Sequence, residues 1–196
     1  MSFSSEVKEE LSEQIASGRH CRLAETAAIL SLCGKIVITE NDRYCVKIQT
    51  ENLAVARKYF TLLRKTFNIR AEVSVRKSRE VRFYSVIVSK DPEARRLLGE
   101  TCLLDKDGNV SECMSPMHHR LLRQNCCRRA FIRGAFLAVG SVSDPKKSYH
   151  FEIVCTAPEK ARQLQELLTS YDVDAKVVLR KRHYVVYIKE GSQIVE

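Results

Sequence analysis

The chain has 196 residues, 44% apolar and 29% charged, with seven glycines and four prolines, a balance that fits one large or two small globular domains and excludes disorder. At this length roughly 70% of the unfolded surface can be buried without help from a metal or disulfide. The net charge of +9 points to a polyanion such as nucleic acid, whereas no apolar run nears the ~18 residues of a membrane span and the start is polar rather than signal-like.

Residues 23–34 predict a helix with Ala24, Ala27, Ala28 and Ser31 on one face. Strands are expected over 35–39 and 44–49, around the turn Glu40-Asn41-Asp42-Arg43. Asn52 is placed to cap a helix reaching Phe67, with Val55, Tyr59, Leu62 and Leu63 on its apolar stripe. Strands over 71–77 and 81–89 follow, then a helix from Pro92 to Leu98. The segment Asp105-Lys106-Asp107-Gly108-Asn109 looks like a calcium loop without its remaining ligands and reads as a hinge. A helix over 119–139, strands near 141–142 and 148–155, a helix from Pro158 to Ser170 and strands over 175–181 and 184–189 complete the chain.

These elements repeat. Phe67-Asn68-Ile69-Arg70-Ala71-Glu72-Val73-Ser74-Val75-Arg76-Lys77 matches Tyr171-Asp172-Val173-Asp174-Ala175-Lys176-Val177-Val178-Leu179-Arg180-Lys181 at an offset of 104, and the preceding helices match at 105. The fold class expected is therefore α+β: two pseudo-symmetric αββαββ units, residues 1–110 and 111–196, forming one pseudo-twofold domain. Ala24, Ala27, Ala28 and Ser31 in one leading helix, and Ala130, Gly134 and Ala138 in the other, would let the two backbones approach closely. The alternative is that each small face packs on its own sheet. Gly34 and Gly140 stand where left-handed C-caps would end these helices.

Eight cysteines (Cys21, Cys33, Cys45, Cys102, Cys113, Cys126, Cys127 and Cys155) include no C-x-x-C pair and read as reduced, buried thiols. Only His118-His119 stands near Cys126-Cys127 in sequence as a partner for zinc, so no metal or other cofactor is expected. Cations cluster without acids over 120–133 and 176–189, with five in each stretch. The arginines of the first stretch either face solvent or pair with acids of the N-terminal helix.

Small-faced helices that end in glycine before a hairpin, inside a duplicated unit, resemble the LAGLIDADG homing-endonuclease arrangement. Ser2-Phe3-Ser4-Ser5-Glu6-Val7-Lys8-Glu9-Glu10-Leu11, Cys21-Arg22-Leu23-Ala24-Glu25 and the run from Arg129-Ala130-Phe131-Ile132-Arg133-Gly134 to Ser143-Asp144-Pro145 resemble the WhiA family of bacterial sporulation and cell-division regulators. That resemblance covers the whole chain. It implies a LAGLIDADG-like part without the family's helix-turn-helix domain, and roles in transcription regulation, cell division, sporulation and chromosome segregation. It also implies a cytoplasmic, nucleoid-associated location.

The same resemblance puts the nuclease's metal-binding positions at Cys33 and Val139. Neither is a carboxylate, and magnesium needs hard oxygen ligands, so loss of catalysis is expected. Glu40 and Asp144 lie past the helices at unmatched positions. Double-stranded DNA is the expected partner, held by Lys47, Arg76, Lys77, Arg79, Arg82, Lys146, Lys147, Arg180, Lys181 and Arg182 on outward strand positions and turns. Two alternatives stay open: a scaffold recruiting a sigma factor or another transcriptional regulator, and a cryptic endonuclease.

Overall fold

The computed structural model of the chain describes residues 2–105, 107–110 and 120–195. It opens with α1 (Phe3–Glu13), whose first turn is capped by the Ser2 hydroxyl. Then come α2 (Arg19–Cys33), β1 (Gly34–Ile38), β2 (Tyr44–Thr50), α3 (Leu53–Phe67), β3 (Glu72–Ser78), β4 (Val81–Val88) and α4 (Asp91–Glu100). A single 3-10 turn (Arg120–Leu122) leads into α5 (Asn125–Val139), β5 (Gly140–Val142), β6 (Phe151–Cys155), α6 (Pro158–Thr169), β7 (Lys176–Arg180), β8 (His183–Ile188) and α7 (Gly191–Val195).

The duplication is explicit in the topology. Each half forms a four-stranded antiparallel sheet, ordered β1-β2-β4-β3 and β5-β6-β8-β7. Gly34 pairs with Ile48 in one sheet and Gly140 with Ile153 in the other, and Val73–Val86 corresponds to Val177–Val186. The β3–β4 hairpin is the longer, so Lys77 lies on a strand while Lys181 lies in a turn. Asn52 caps α3 as its sequence predicts, with its side-chain oxygen accepting from the Ala54 and Val55 amides at 2.9 and 3.3 Å.

The two halves meet through α2 and α5. Ala24, Ala27, Ala28 and Ala130 are buried, and a Cβ added to Gly134 would stand 2.5 Å from the Glu25 carbonyl oxygen and 3.0 Å from Ala28 Cβ. The small faces therefore pack on each other and not on separate sheets. A buried ion triad crosses this seam. Glu25 accepts two bonds from Arg133, at 2.9 and 3.1 Å, and lies 3.0 Å from the Lys58 Nζ of α3. Lys58 also donates to the Leu11 and Gln14 carbonyls, which ties down the end of α1.

Several sequence expectations change. Gly34 and Gly140 are not left-handed caps: their ψ angles of 148° and 160° belong to extended backbone, because each is already the first residue of a strand. What they need is space, since a Cβ at Gly140 would come 2.5 Å from the Phe136 ring. Arg133 pairs with Glu25 of α2, not with acids of the N-terminal helix. The expected hinge is tied down at its described residues, Asp105 and 107–109. Asp105 accepts from the Asp107 and Asn109 amides, Leu104 bridges Val110, and the Tyr44 hydroxyl donates to the Gly108 carbonyl at 2.9 Å. Lys106 lies outside the described residues. The strand expected over 148–155 begins at Phe151, because the preceding residues form a turn closed on Asp144 and Ser143.

Candidate nucleic-acid interface

Helices α3 and α4 cover one face of the first sheet and α6 one face of the second, which leaves the opposite faces open. Strand periodicity assigns side chains to those faces. Tyr44, Val46 and Ile48 are buried toward the helices, so Lys47 points to the open face in a row Lys35–Lys47–Ile87–Glu72. The matching row of the second half is Ser141–Glu152–Tyr187–Lys176. Lys47 is therefore answered across the pseudo-axis by an acid, and the expected charge symmetry fails at this row.

Symmetry returns at the hairpin tips. Arg76 stands opposite Phe83 and Arg180 opposite His183, both on open-face positions. Lys77 and Arg82, expected to share that face, are cross-strand partners on the other one, where the tip extends past the helices and both are exposed. Arg79 and Lys181 occupy the turns at φ 54° and 58°, a left-handed conformation that costs a side-chain-bearing residue about 1 kcal/mol or more. Arg182 follows in its turn, and Lys146 and Lys147 lie in the exposed turn after Asp144. Among the described residues, Arg76, Lys77, Arg79, Arg82, Lys146, Lys147, Lys181 and Arg182 form no ion pair with an acid.

Arg180 is the exception. It lies 3.2 Å from Glu152, which also accepts from His150 at 3.0 Å. The His150 hydrogen bond and then the Arg180 charge hold the Glu152 carboxyl below its ordinary range, against partial burial. Lys35, Lys176 and His183 were missed as open-face residues by sequence reasoning. Alternation counted from Gly34 would have found Lys35.

At the C-terminal ends of the helix pair stand Cys33 and Val139. The Cys33 thiol donates to the Ile29 carbonyl at 3.2 Å, and burial pushes its pKa up to about 12. The charge beside it is the Lys8 ammonium of α1, which is also 5.6 Å from the Phe136 ring centroid. Burial lowers the Lys8 pKa. Glu40 and Asp144 are in turns beyond the helices, as their spacing predicts. His118 and His119 lie outside the described residues. Cys126 and Cys127 are instead met by His20 and Cys21 of α2.

Residues 19–104 match the WhiA N-terminal LAGLIDADG-like domain and residues 128–196 the WhiA LAGLIDADG-like domain. The chain is 48% identical over its whole length to a Lachnoclostridium phytofermentans protein and 36% identical to one from Alkaliphilus metalliredigens, each named "Probable cell division protein WhiA". It spans 63% of the length of these relatives. Its fold superposes on full-length WhiA from Thermotoga maritima with a TM-score of 0.75 at 20% identity, covering all of this chain and 60% of that one. The homing endonuclease I-DmoI in complex with DNA and manganese gives a TM-score of 0.59 at 17% identity, over 89% of this chain and 94% of that one. Among the described residues, no helix is long and apolar enough to cross a membrane.

Proposed function

Because the chain belongs to the WhiA family, we propose that it is a non-catalytic DNA-contacting module of a cell-division regulator, built from halves 1–110 and 111–196. One observation carries this reading: apart from Arg180, which pairs with Glu152, the cations of the two pseudo-symmetric hairpin tips form no ion pair among the described residues. Lys77 directly opposes Arg82, and like charges facing each other across strands destabilise a hairpin. The arrangement becomes favourable when phosphates neutralise it and release their counterions.

The helix ends support the loss of catalysis in this reading. A thiol held protonated by burial, an isopropyl group and a nearby ammonium repel a divalent cation more than they attract it. Without a metal, the scissile phosphate gains neither polarisation nor an activated water.

Fluorescence anisotropy of the chain on a duplex tests the reading. Affinity should fall with salt at a log–log slope of about −0.9 per phosphate neutralised, and supercoiled plasmid should stay intact with magnesium or manganese. Absence of binding at low salt refutes DNA contact, and metal-dependent nicking refutes loss of catalysis.

A scaffold for a sigma factor or another transcriptional regulator is a second reading, favoured by the edge strands. β3 and β7 expose Val73, Val75, Val177, Val178 and Leu179 beside unpaired backbone groups, a surface to which a partner strand can add. Unchanged DNA affinity after charge reversal of Arg180 and Lys181 in the whole protein would favour it.

A further inference from the structure

The N-terminal ends of α2 and α5, opposite the Cys33–Val139 end, bring together two adjacent pairs of side chains that lie 106 residues apart in sequence. His20 Nδ1 and the thiols of Cys21, Cys126 and Cys127 all lie within 4.8 Å of one another. His20 Nδ1 is 3.2 Å from Cys127 Sγ, 3.2 Å from Cys21 Sγ and 3.9 Å from Cys126 Sγ. In a tetrahedral zinc site with Zn–S near 2.3 Å and Zn–N near 2.0 Å, neighbouring ligand atoms stand about 3.5–3.8 Å apart. The cluster already approximates that tetrahedron and needs only small side-chain adjustments.

The cluster also obeys the duplication. His20 and Cys21 precede Gly34 by 14 and 13 residues, and Cys126 and Cys127 precede Gly140 by the same 14 and 13. Each half thus contributes equivalent positions from the first turns of its leading helix, and the four meet where the halves meet. Cys21 and Cys127 are buried, while His20 and Cys126 are open to solvent and give an ion a route in. The Cys126 thiol also donates to the Gln124 side-chain oxygen at 3.4 Å.

The geometry points to a structural zinc site formed by His20, Cys21, Cys126 and Cys127, which clamps the two halves together at the N-terminal ends of their central helices. Three thiolates and one imidazole select zinc over magnesium or calcium, and four protein ligands leave no open position for catalysis. The thiolates are favoured by the positive ends of two helices. Neither helix has an acid in its first turn to use that field.

Metal analysis of the chain purified without chelator should find zinc close to one per chain. Cobalt substituted for it should show the intense d–d and thiolate charge-transfer absorption of a tetrahedral sulfur-rich site. Cys126→Ser and His20→Asn, both at exposed positions that tolerate change, should weaken cobalt binding by more than the roughly 10–100-fold that losing an outer-shell partner costs. Cys45→Ser should leave it unchanged. Removing zinc from the unaltered chain with a chelator should lower its Tm, a readout that needs no variant to fold. A chain that contains no zinc and gives no tetrahedral cobalt spectrum overturns the proposal. So does a disulfide among these cysteines in freshly purified protein.

Discussion

Replacing Glu25 by Gln tests how the two halves are held. The Glu25 side chain is fully buried, as is that of Lys58, whereas Arg133 keeps 20% of its side-chain surface exposed. The substitution preserves volume but strands one wholly buried ammonium and one mostly buried guanidinium. Removing one partner of a buried ion pair costs about 3–5 kcal/mol. The upper half of that range applies to Lys58, which keeps the Leu11 and Gln14 carbonyls but has an uncharged amide oxygen in place of the carboxylate. For a chain of this size the loss amounts to a Tm decrease of roughly 10 °C. Urea denaturation should show a lower midpoint at unchanged slope. Burial lowers the Lys58 pKa, with Glu25 opposing the shift, and a lowered folded pKa means that the unfolded state binds more protons just below pH ~10.4. Stability from this group therefore rises with pH as Lys58 loses its proton, and the deficit of Glu25→Gln should shrink at alkaline pH. A loss below about 1 kcal/mol, or one independent of pH up to 10, would refute a charged triad in the seam.

Three further outcomes follow from the same geometry. Gly134→Ala should cost about 1–3 kcal/mol, because the new methyl meets the Glu25 carbonyl of α2 at 2.5 Å and the helices must part; an unchanged Tm would contradict the close approach. Lys181→Gly should stabilise the chain by about 1 kcal/mol by relieving its left-handed φ, while weakening DNA binding and reducing the salt slope by about 0.9. Those opposite signs separate a role in binding from a role in folding. Glu152→Gln should strengthen DNA binding at low salt by freeing Arg180. Because the folded Glu152 pKa is lowered, its stability contribution is present above about pH 4.3 and fades as pH falls through the folded value, so the variant should have a flatter acid limb in pH-dependent melts.

The elements and the duplication were legible because they rest on local rules. Asn52 announces a helix start, Pro158 begins another, and the offset repeat of Arg-Lys endings marks equivalent hairpins. Side-chain direction was harder to read. Lys77 and Arg82 fall on the opposite face from Arg76 because consecutive strand residues alternate faces, and the first hairpin extends far enough to keep Lys77 on a strand where Lys181 is in a turn. Glu152 occupies the position of Lys47, so local composition overstated the symmetry of the basic face. The thiol cluster was missed for a different reason. Ligand spacing within one segment does not reveal it, because the partners of Cys126 and Cys127 come from the other half. Applying the 106-residue offset of the two glycines to those cysteines would have returned His20 and Cys21.

The two ends of the central helix pair pose one electrostatic problem. α2 and α5 run parallel, so their macrodipoles lie side by side and repel, with positive ends together at His20 and Cys127 and negative ends together at Cys33 and Val139. Neither helix has an acid in its first turn or a base in its last. The resemblance to LAGLIDADG endonucleases implies metal-binding positions at the negative ends; a thiol and a valine stand there in this chain, and the cation beside them is Lys8 of α1. At the positive ends, a zinc bound by three thiolates and a neutral imidazole bears a net negative charge, the sign those ends require. If both compensations operate, Lys8→Met and loss of the metal should each destabilise the chain, and their effects should add, because the two sites sit at opposite ends of a 15-residue helix. A Lys8→Met variant as stable as the parent would mean that the parallel dipoles need no cation at the Cys33–Val139 end.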